Sequence, residues 1–328
     1  MKILVLTGGE SPEREVSMRS GAAAARALIG RGHSVAVLDT VRPLGADGIK
    51  YCSSLKELEC RLFSLTNDIS APVFPLNSDI ASAVKTADRV FLALHGGIGE
   101  NGRLQAMLDC LGVRYCGSGA QGCALAMDKI KTKLLYEQCG ILTPRFTVYE
   151  DGQKRPPVPP CYPCVVKPAD SGSSIGISFV FSPCGLDEAM KKALSVCKSV
   201  ILEERILGRE LSVSLLDDEP LAVTEIIPKS AYYDYESKYK NGGAREITPA
   251  PLDKKLYTRA MRIAKNAHSA LGLKNFSRTD LILKNGTDLF YALETNALPG
   301  LTETSILPQA ALTEGIDFGE LCEIMAQA

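Results

Sequence analysis

No apolar run in this chain approaches the roughly 20 residues needed to cross a bilayer. The longest are short stretches such as Arg89-Val-Phe-Leu-Ala-Leu94, so no membrane span is expected. Charge of one sign is not in excess either. The 37 basic and 38 acidic residues leave a net charge of −1, and the absence of a basic patch argues against nucleic acid as a partner. The opening MKILVLTGGESPEREVS lacks the apolar length of a signal peptide. Cys161–Cys164 is the only C-x-x-C pair among eleven cysteines. Neither a second pair nor a histidine cluster completes a zinc site. The cysteines are scattered, most beside apolar residues, and are expected to be reduced, acting as small hydrophobes in a cytoplasmic protein. No G-x-G-x-x-G follows the first strand, which removes a Rossmann dehydrogenase.

What is present is an α/β pattern long enough, at 328 residues, for two or three domains. Lys2–Thr7 reads as a buried strand ending in the turn Gly8-Gly9, followed by an alanine-rich helix over 17–30. Further strands are expected at 34–39 and 89–94, giving a parallel sheet covered on both faces, in a domain that ends near 116–119. A helix over 128–139 opens the next segment, and the proline run 154–160 stays extended. Strands at 164–167, 177–181 and 200–203 suggest a small mixed sheet. Beyond Gly208 come strands 211–216 and 221–227, a helix over 253–271, and a hairpin over 277–294 turning at Asn285-Gly286.

Three constellations carry chemistry. Lys167-Pro-Ala-Asp-Ser-Gly-Ser-Ser-Ile-Gly176 lies between two strands. Its small residues let backbone N–H groups approach an anion, two hydroxyls can donate, and the lysine adds positive charge. It is not a Walker A loop, because no G-K-[ST] opens a helix. A flexible surface turn is the plain alternative. Asp280, Glu294 and Asn296 form the second constellation, since the hairpin brings the carboxylates near one another and Glu294 and Asn296 share a face. Such hard oxygen donors suit Mg²⁺ with substrate phosphates; a solvated hairpin is the alternative. The third is Tyr232-Tyr-Asp-Tyr-Glu-Ser-Lys-Tyr239, dense for a chain with 6% aromatics, which reads as an edge strand or as a lid reaching a ligand.

In order along the chain, GGESPEREVS (8–17), LHGGIGENG (94–102), MDKIKTK (127–133), VVKPADSGSSIG (165–176), the stretch 203–210, YDYESKY (233–239), SRTDLIL (277–283) and LETNALPGLTETS (293–305) resemble the D-alanine–D-alanine ligases of the ATP-grasp superfamily. The resemblance implies a three-domain α/β ATP-grasp fold, with an N-terminal parallel domain over 1–118, a central domain over 119–206 and a C-terminal domain over 207–328. ATP would lie between the sheets of the last two. It implies that Glu13 holds the first substrate's ammonium, hydrogen-bonded with Ser173 and Tyr239, with His95 nearby. Lys129, Lys167, Ser173 and Ser174 would meet the nucleotide phosphates, and Lys238 the γ-phosphate. Glu203, Glu204 and Ile206 would form the adenine hinge, with Glu210 on the ribose. Asp280, Glu294 and Asn296 would hold two Mg²⁺ ions, for which Mn²⁺ can substitute. Arg278 and the Gly300 N–H would stabilise the tetrahedral intermediate, and Ser305 would contact the second substrate's carboxylate. The activity implied is ATP-dependent joining of two D-alanines for peptidoglycan precursors, by a cytoplasmic homodimer that binds neither nucleic acid nor membrane.

Two departures from the family pattern stand out. Asn101 replaces the aspartate of the HGxxGED motif, and Thr304 is not the basic residue some relatives carry. Residues 40–80 match nothing recognisable. Two other readings stay open at this point. A sister ligase would take D-serine or D-lactate second, although D-lactate relatives carry phenylalanine where this chain has Tyr239. A non-catalytic nucleotide-binding protein on the same scaffold would be expected to have lost metal ligands or Arg278, and none is lost.

Overall fold

The computed structural model describes residues 1–42, 48–64, 77–154, 157–172, 175–228 and 244–327. The chain opens with β1 (Lys2–Thr7), α1 (Arg14–Gly30), β2 (Ser34–Asp39), α2 (Leu55–Ser64), α3 (Ser78–Val84), β3 (Arg89–Leu92), α4 (Gly97–Glu100) and α5 (Arg103–Cys110). Strands β2-β1-β3 form a parallel sheet. Ile3 to Thr7 are buried without a break, as expected for a strand covered on both faces. Helix α1 buries Ser17, Ser20, Gly21, Ala24, Ala25, Leu28 and Ile29, the three-to-four spacing of one helix face.

Next come α6 (Ala120–Met127), α7 (Lys129–Gln138), β4 (Phe146–Glu150), β5 (Cys164–Pro168), β6 (Ser178–Val180), α8 (Leu186–Leu194) and β7 (Ser199–Glu204). Asp128 caps α7, its Oδ1 accepting the N–H of Ile130 and of Lys131 at 3.0 Å each. The sheet order is β4-β7-β5-β6. Every pairing in it is antiparallel, so the mixed sheet expected from the sequence is corrected. The helix α8 does join two strands of the same direction, β6 and β7. The crossover spans β5, which lies between them and runs the other way.

The third sheet holds β8 (Gly208–Leu216), β9 (Glu219–Pro228), β10 (Ala244–Ile247), β11 (Phe276–Lys284) and β12 (Phe290–Asn296), in the order β10-β9-β8-β11-β12. The β8–β9 turn rests on Asp217 and Asp218, both at positive φ (51° and 62°), the conformation a two-residue hairpin needs. Helix α9 (Lys254–Ala270) packs on this sheet. So do α6 and α7, whose Cys123, Ala126 and Tyr136 share its core. The last two helices, α10 (Ile306–Thr313) and α11 (Phe318–Gln327), return to the first sheet. Leu307, Ala310, Leu321 and Met325 join the core around Ile3–Leu6. This return brings the turn that leaves β12 against the loops at the C-terminal ends of β1 and β3. All eleven cysteines are free thiols; Cys52, Cys116, Cys123, Cys164 and Cys322 are buried, and Cys60, Cys110, Cys139 and Cys184 are exposed.

Candidate functional site

The register of β11 against β12 pairs Arg278 with Asn296 and Asp280 with Glu294. Directly paired residues point to the same face of a sheet, so all four share one surface. Two carboxylates placed opposite each other repel unless cations stand near. Here Arg278 holds Asp280 through Nε to Oδ1 and Nη2 to Oδ2, each at 2.9 Å. The Ser212 hydroxyl donates to Asp280 Oδ1 at 2.7 Å. Lys129 Nζ lies 3.2 Å from Glu294 Oε2. Among the described residues, no group of three or more His, Cys, Asp and Glu side chains could hold a metal alone. Two carboxylates and an amide on one face fit Mg²⁺ provided that phosphate oxygens complete the shell, which is how this ion usually binds nucleotides.

These carboxylates open into a cavity of about 260 Å³ between the second and third sheets. Its walls include Lys129, Lys167, Ser171 and Gly172 on one side and Glu210, Asp280 and Glu294 on the other, with Glu203, Glu204 and Ile206 at the back. Lys129 Nζ also donates to the Ser171 carbonyl at 2.6 Å, which ties the phosphate loop to the start of α7. Beneath the cavity Glu203 is gripped by two buried lysines, Lys167 at 2.7 Å and Lys133 at 2.8 Å. Burial alone would raise the Glu203 pKa, but the two ammonium groups overcome it and hold it below the usual range. Burial pulls Lys133 down to about 8, against the opposing pull of Glu203. Lys133 further donates to Thr143 Oγ1 at 2.7 Å.

A second pocket of the site lies at the ends of the first sheet. Glu13 stands at the N-terminus of α1. A Cβ on Gly96 would fall 2.6 Å from Glu13 Oε2, and one on Gly172 would fall 2.9 Å away. The carboxylate therefore sits between two stretches of bare backbone, one from the first sheet and one from the phosphate loop. His95 is buried, and its ring is fixed from both ends. Nδ1 is 3.0 Å from the Leu298 carbonyl, which can only accept, so Nδ1 carries the proton. Nε2, 2.9 Å from Ser20 Oγ, then accepts from that hydroxyl. The same Ser20 Oγ receives the Leu301 N–H at 3.2 Å. Burial, first, lowers the His95 pKa, with Glu13 pulling the other way. Between these anchors lies Gly300, where a Cβ would meet Ser305 Oγ at 2.7 Å. Ser305 itself stands at the N-cap position of α10.

The structure thus brings Lys129, Lys167, Glu203, Glu204, Ile206, Glu210, Asp280 and Glu294 to one cavity. It places Glu13, His95, Gly300 and Ser305 beside it, linked through Arg278 and the turn 297–301. Ser173, Ser174, Lys238 and Tyr239, with the whole of the tyrosine-rich segment 232–239, lie outside the described residues. Two residues escaped the sequence reading. Lys133 ends MDKIKTK, where only its neighbour Lys129 was singled out. Glu100 belongs to LHGGIGENG, where His95 was the one candidate site residue and Asn101 was noted only as a departure from the family motif. In each case an ionisable residue sits on the buried face of a short helix, Lys133 beside Thr132 and Tyr136 and Glu100 beside Ile98 and Gly99, and the sequence alone carries no mark of that burial.

Comparison with known proteins points the same way as this geometry. Residues 2–118 match the family model described as D-ala D-ala ligase N-terminus, and residues 158–327 match the one described as D-ala D-ala ligase C-terminus. The chain is 39% identical to the D-alanine–D-alanine ligase of Syntrophotalea carbinolica, over 98% of this chain and 94% of that one. It is 37% identical to that of Fusobacterium nucleatum subsp. nucleatum, over 100% and 99%. Among solved structures, the fold is similar to D-alanine–D-alanine ligase from Bacillus anthracis complexed with ATP, with a TM-score of 0.79 at 24% identity over 100% of this chain and 96% of that one.

Proposed function

The chain belongs to the D-alanine–D-alanine ligase family, and we propose that it joins two D-alanines through a D-alanyl phosphate, with its residues dividing the work as follows. ATP lies between the second and third sheets, adenine toward Glu203, Glu204 and Ile206, ribose toward Glu210, and phosphates toward Lys129, Lys167 and the 171–174 loop. Glu13 binds the ammonium of the first D-alanine, so its carboxylate faces the phosphates. A carboxylate oxygen attacks the γ-phosphorus, the bond to the ADP oxygen breaks, and the acyl phosphate forms. Mg²⁺ held by Asp280, Glu294 and Asn296 would offset charge on the transferring phosphoryl group. The neutral amine of the second D-alanine, its carboxylate toward Ser305, attacks the acyl carbon. Arg278 and the Gly300 N–H meet the oxyanion as it forms. Phosphate then leaves and the amine proton is lost. The family pattern assigns Lys238 to the γ-phosphate and Tyr239 to Glu13, both outside the described residues; an acyl phosphate hydrolyses unless water is excluded.

The observation that best supports this division is the cavity itself, in which nucleotide-facing lysines and the Asp280–Glu294 pair share one space. A division into units 1–118, 119–206 and 207–328, a homodimer and a cytoplasmic location belong to the same proposal. No helix of the described residues is long and apolar enough to cross a membrane. The test is phosphate release from ATP with D-alanine, D-serine and D-lactate in turn, with the product mass measured. Release with D-alanine and the dipeptide mass are expected. Release only with a D-hydroxy acid as second substrate would replace this reading with the depsipeptide ligase.

A further inference from the structure

Glu100 ends α4 and has no part in the scheme above. It is buried, with 8% of its surface exposed. Its two oxygens reach two loops far apart in sequence. Oε2 accepts the Gly96 N–H at 2.9 Å, and Oε1 accepts the Leu298 N–H at 3.1 Å. Gly96 lies so near Glu13 that a Cβ there would fall 2.6 Å from Glu13 Oε2. Leu298 begins the turn that carries Gly300, and its carbonyl is the one His95 holds. Pro299 between them has no N–H to offer, so the Leu298 N–H is the last backbone donor before that of Gly300. One buried side chain therefore spans the first-substrate station and the oxyanion station.

We propose that Glu100 is a positioning residue for ligation, setting the distance between Glu13, where the first D-alanine is anchored, and the Gly300 N–H that meets the oxyanion. The proposal rests on the division of roles given above. The acyl carbon must lie between those two points, and a misplacement of about 1 Å in such an arrangement can lower a rate about 10²-fold. A carboxylate suits this strut. Its two oxygens accept from both loops at once, and either loop moving away would leave a buried acceptor unpaired. Glu13 and Arg278 both act on its charge, with opposite sign, as expected for a group standing between the two stations.

Glu100→Gln keeps the shape but turns one acceptor into an amide donor facing an N–H. Glu100→Asp keeps the charge and is too short to reach both loops. The full chain carrying each change is measured for kcat and KM with D-alanine, for affinity toward a nonhydrolysable ATP analogue by calorimetry, and for thermal midpoint. Both variants are expected to lose about 10- to 100-fold in kcat while analogue affinity stays at the wild-type value. If the Gln variant does not fold, the Asp variant decides by the same criteria. Wild-type kcat in a folded variant, even with a lowered thermal midpoint, makes Glu100 a packing residue and overturns the proposal. Equal losses in kcat and analogue affinity overturn it as well. Glu13→Gln is run beside them. If it uses D-alanine normally, the first-substrate station is misassigned and the underlying reading fails, whereas an impaired Glu13 variant beside a normal Glu100 variant removes this proposal alone.

Discussion

Arg278 holds both carboxylate oxygens of Asp280, through Nε and Nη2 at 2.9 Å each, from two residues away on the same strand face. The proposed oxyanion donor and a proposed metal ligand thus neutralise one another. The planar fork of arginine makes that bidentate grip, and an ammonium cannot reproduce it. Arg278→Lys is therefore expected to lower kcat about 10²–10³-fold, the usual loss for one oxyanion donor, while KM for ATP moves far less. Steady-state kinetics with ATP and D-alanine varied in turn measures both. A variant that changes only the KM for ATP would place Arg278 on the nucleotide.

Glu294 faces Asp280 across the pair and has Lys129 3.2 Å away. Glu294→Gln removes one anionic donor at nearly constant volume. Turnover is expected to vanish while the thermal midpoint without ligand changes little, because this edge of the site is partly open to solvent. Raising the Mg²⁺ concentration should not restore the rate. Near-normal turnover at saturating Mg²⁺ would take the Asp280–Glu294–Asn296 group out of the mechanism.

Gly96 adopts φ of +66°, and a Cβ there would fall 2.6 Å from Glu13 Oε2. Gly96→Ala meets strain and a displaced carboxylate at once. A rise in KM for the first D-alanine is expected, about 10-fold or more if a charge-assisted hydrogen bond of 1.5–3 kcal/mol is lost, with ATP affinity unchanged. Calorimetry with a nonhydrolysable analogue separates the two, and a loss confined to ATP would move Glu13 out of the first-substrate station.

Sequence patterns conveyed the local pieces well and the long-range ones poorly. Lys2–Thr7 was legible because a strand covered on both faces is apolar throughout. The hairpin around Gly286 was legible because its turn chemistry is local. The partnership of Asp280 with Glu294 was visible only to within a few residues, since the bulge between Asp280 and Leu281 shifts the register. The hold of Glu100 on Leu298 joins positions 198 apart, and periodicity carries no trace of such a bond. The same holds for the return of α10 and α11 to the first sheet. Both are tertiary choices made by packing, not by propensity.

Lys133 and Lys167 share Glu203 beneath the cavity. Lys133→Met leaves Glu203 buried with one cation in place of two. Removing a single partner from a buried ion pair typically destabilises by about 3–5 kcal/mol. The remaining lysine keeps the loss near the lower end, so about 3 kcal/mol is expected from urea unfolding. A change under about 0.5 kcal/mol, the scale of an exposed pair, would mean that the triad is solvated in solution.

Two titratable groups grip Leu298, and their pH preferences oppose each other. Burial, with help from Glu13, raises the Glu100 pKa from 4.5 to about 7. Its contribution to stability is therefore complete below its unfolded value and falls as pH rises through about 7. Burial lowers the His95 pKa from 6.5, so its contribution is complete above that value and falls on acidification. Glu100→Gln cannot titrate and retains His95, so the difference between wild type and variant isolates Glu100. That difference should move against the wild type by about 3 kcal/mol as pH rises from below 4.5 to above 7, taking 1.36 kcal/mol per pKa unit. Urea unfolding of both proteins between about pH 4 and pH 8 measures it. Bound D-alanine should shrink the change, because its ammonium would screen Glu13 from Glu100. A difference that stays flat across this range would mean that Glu100 titrates alike in the folded and unfolded chain.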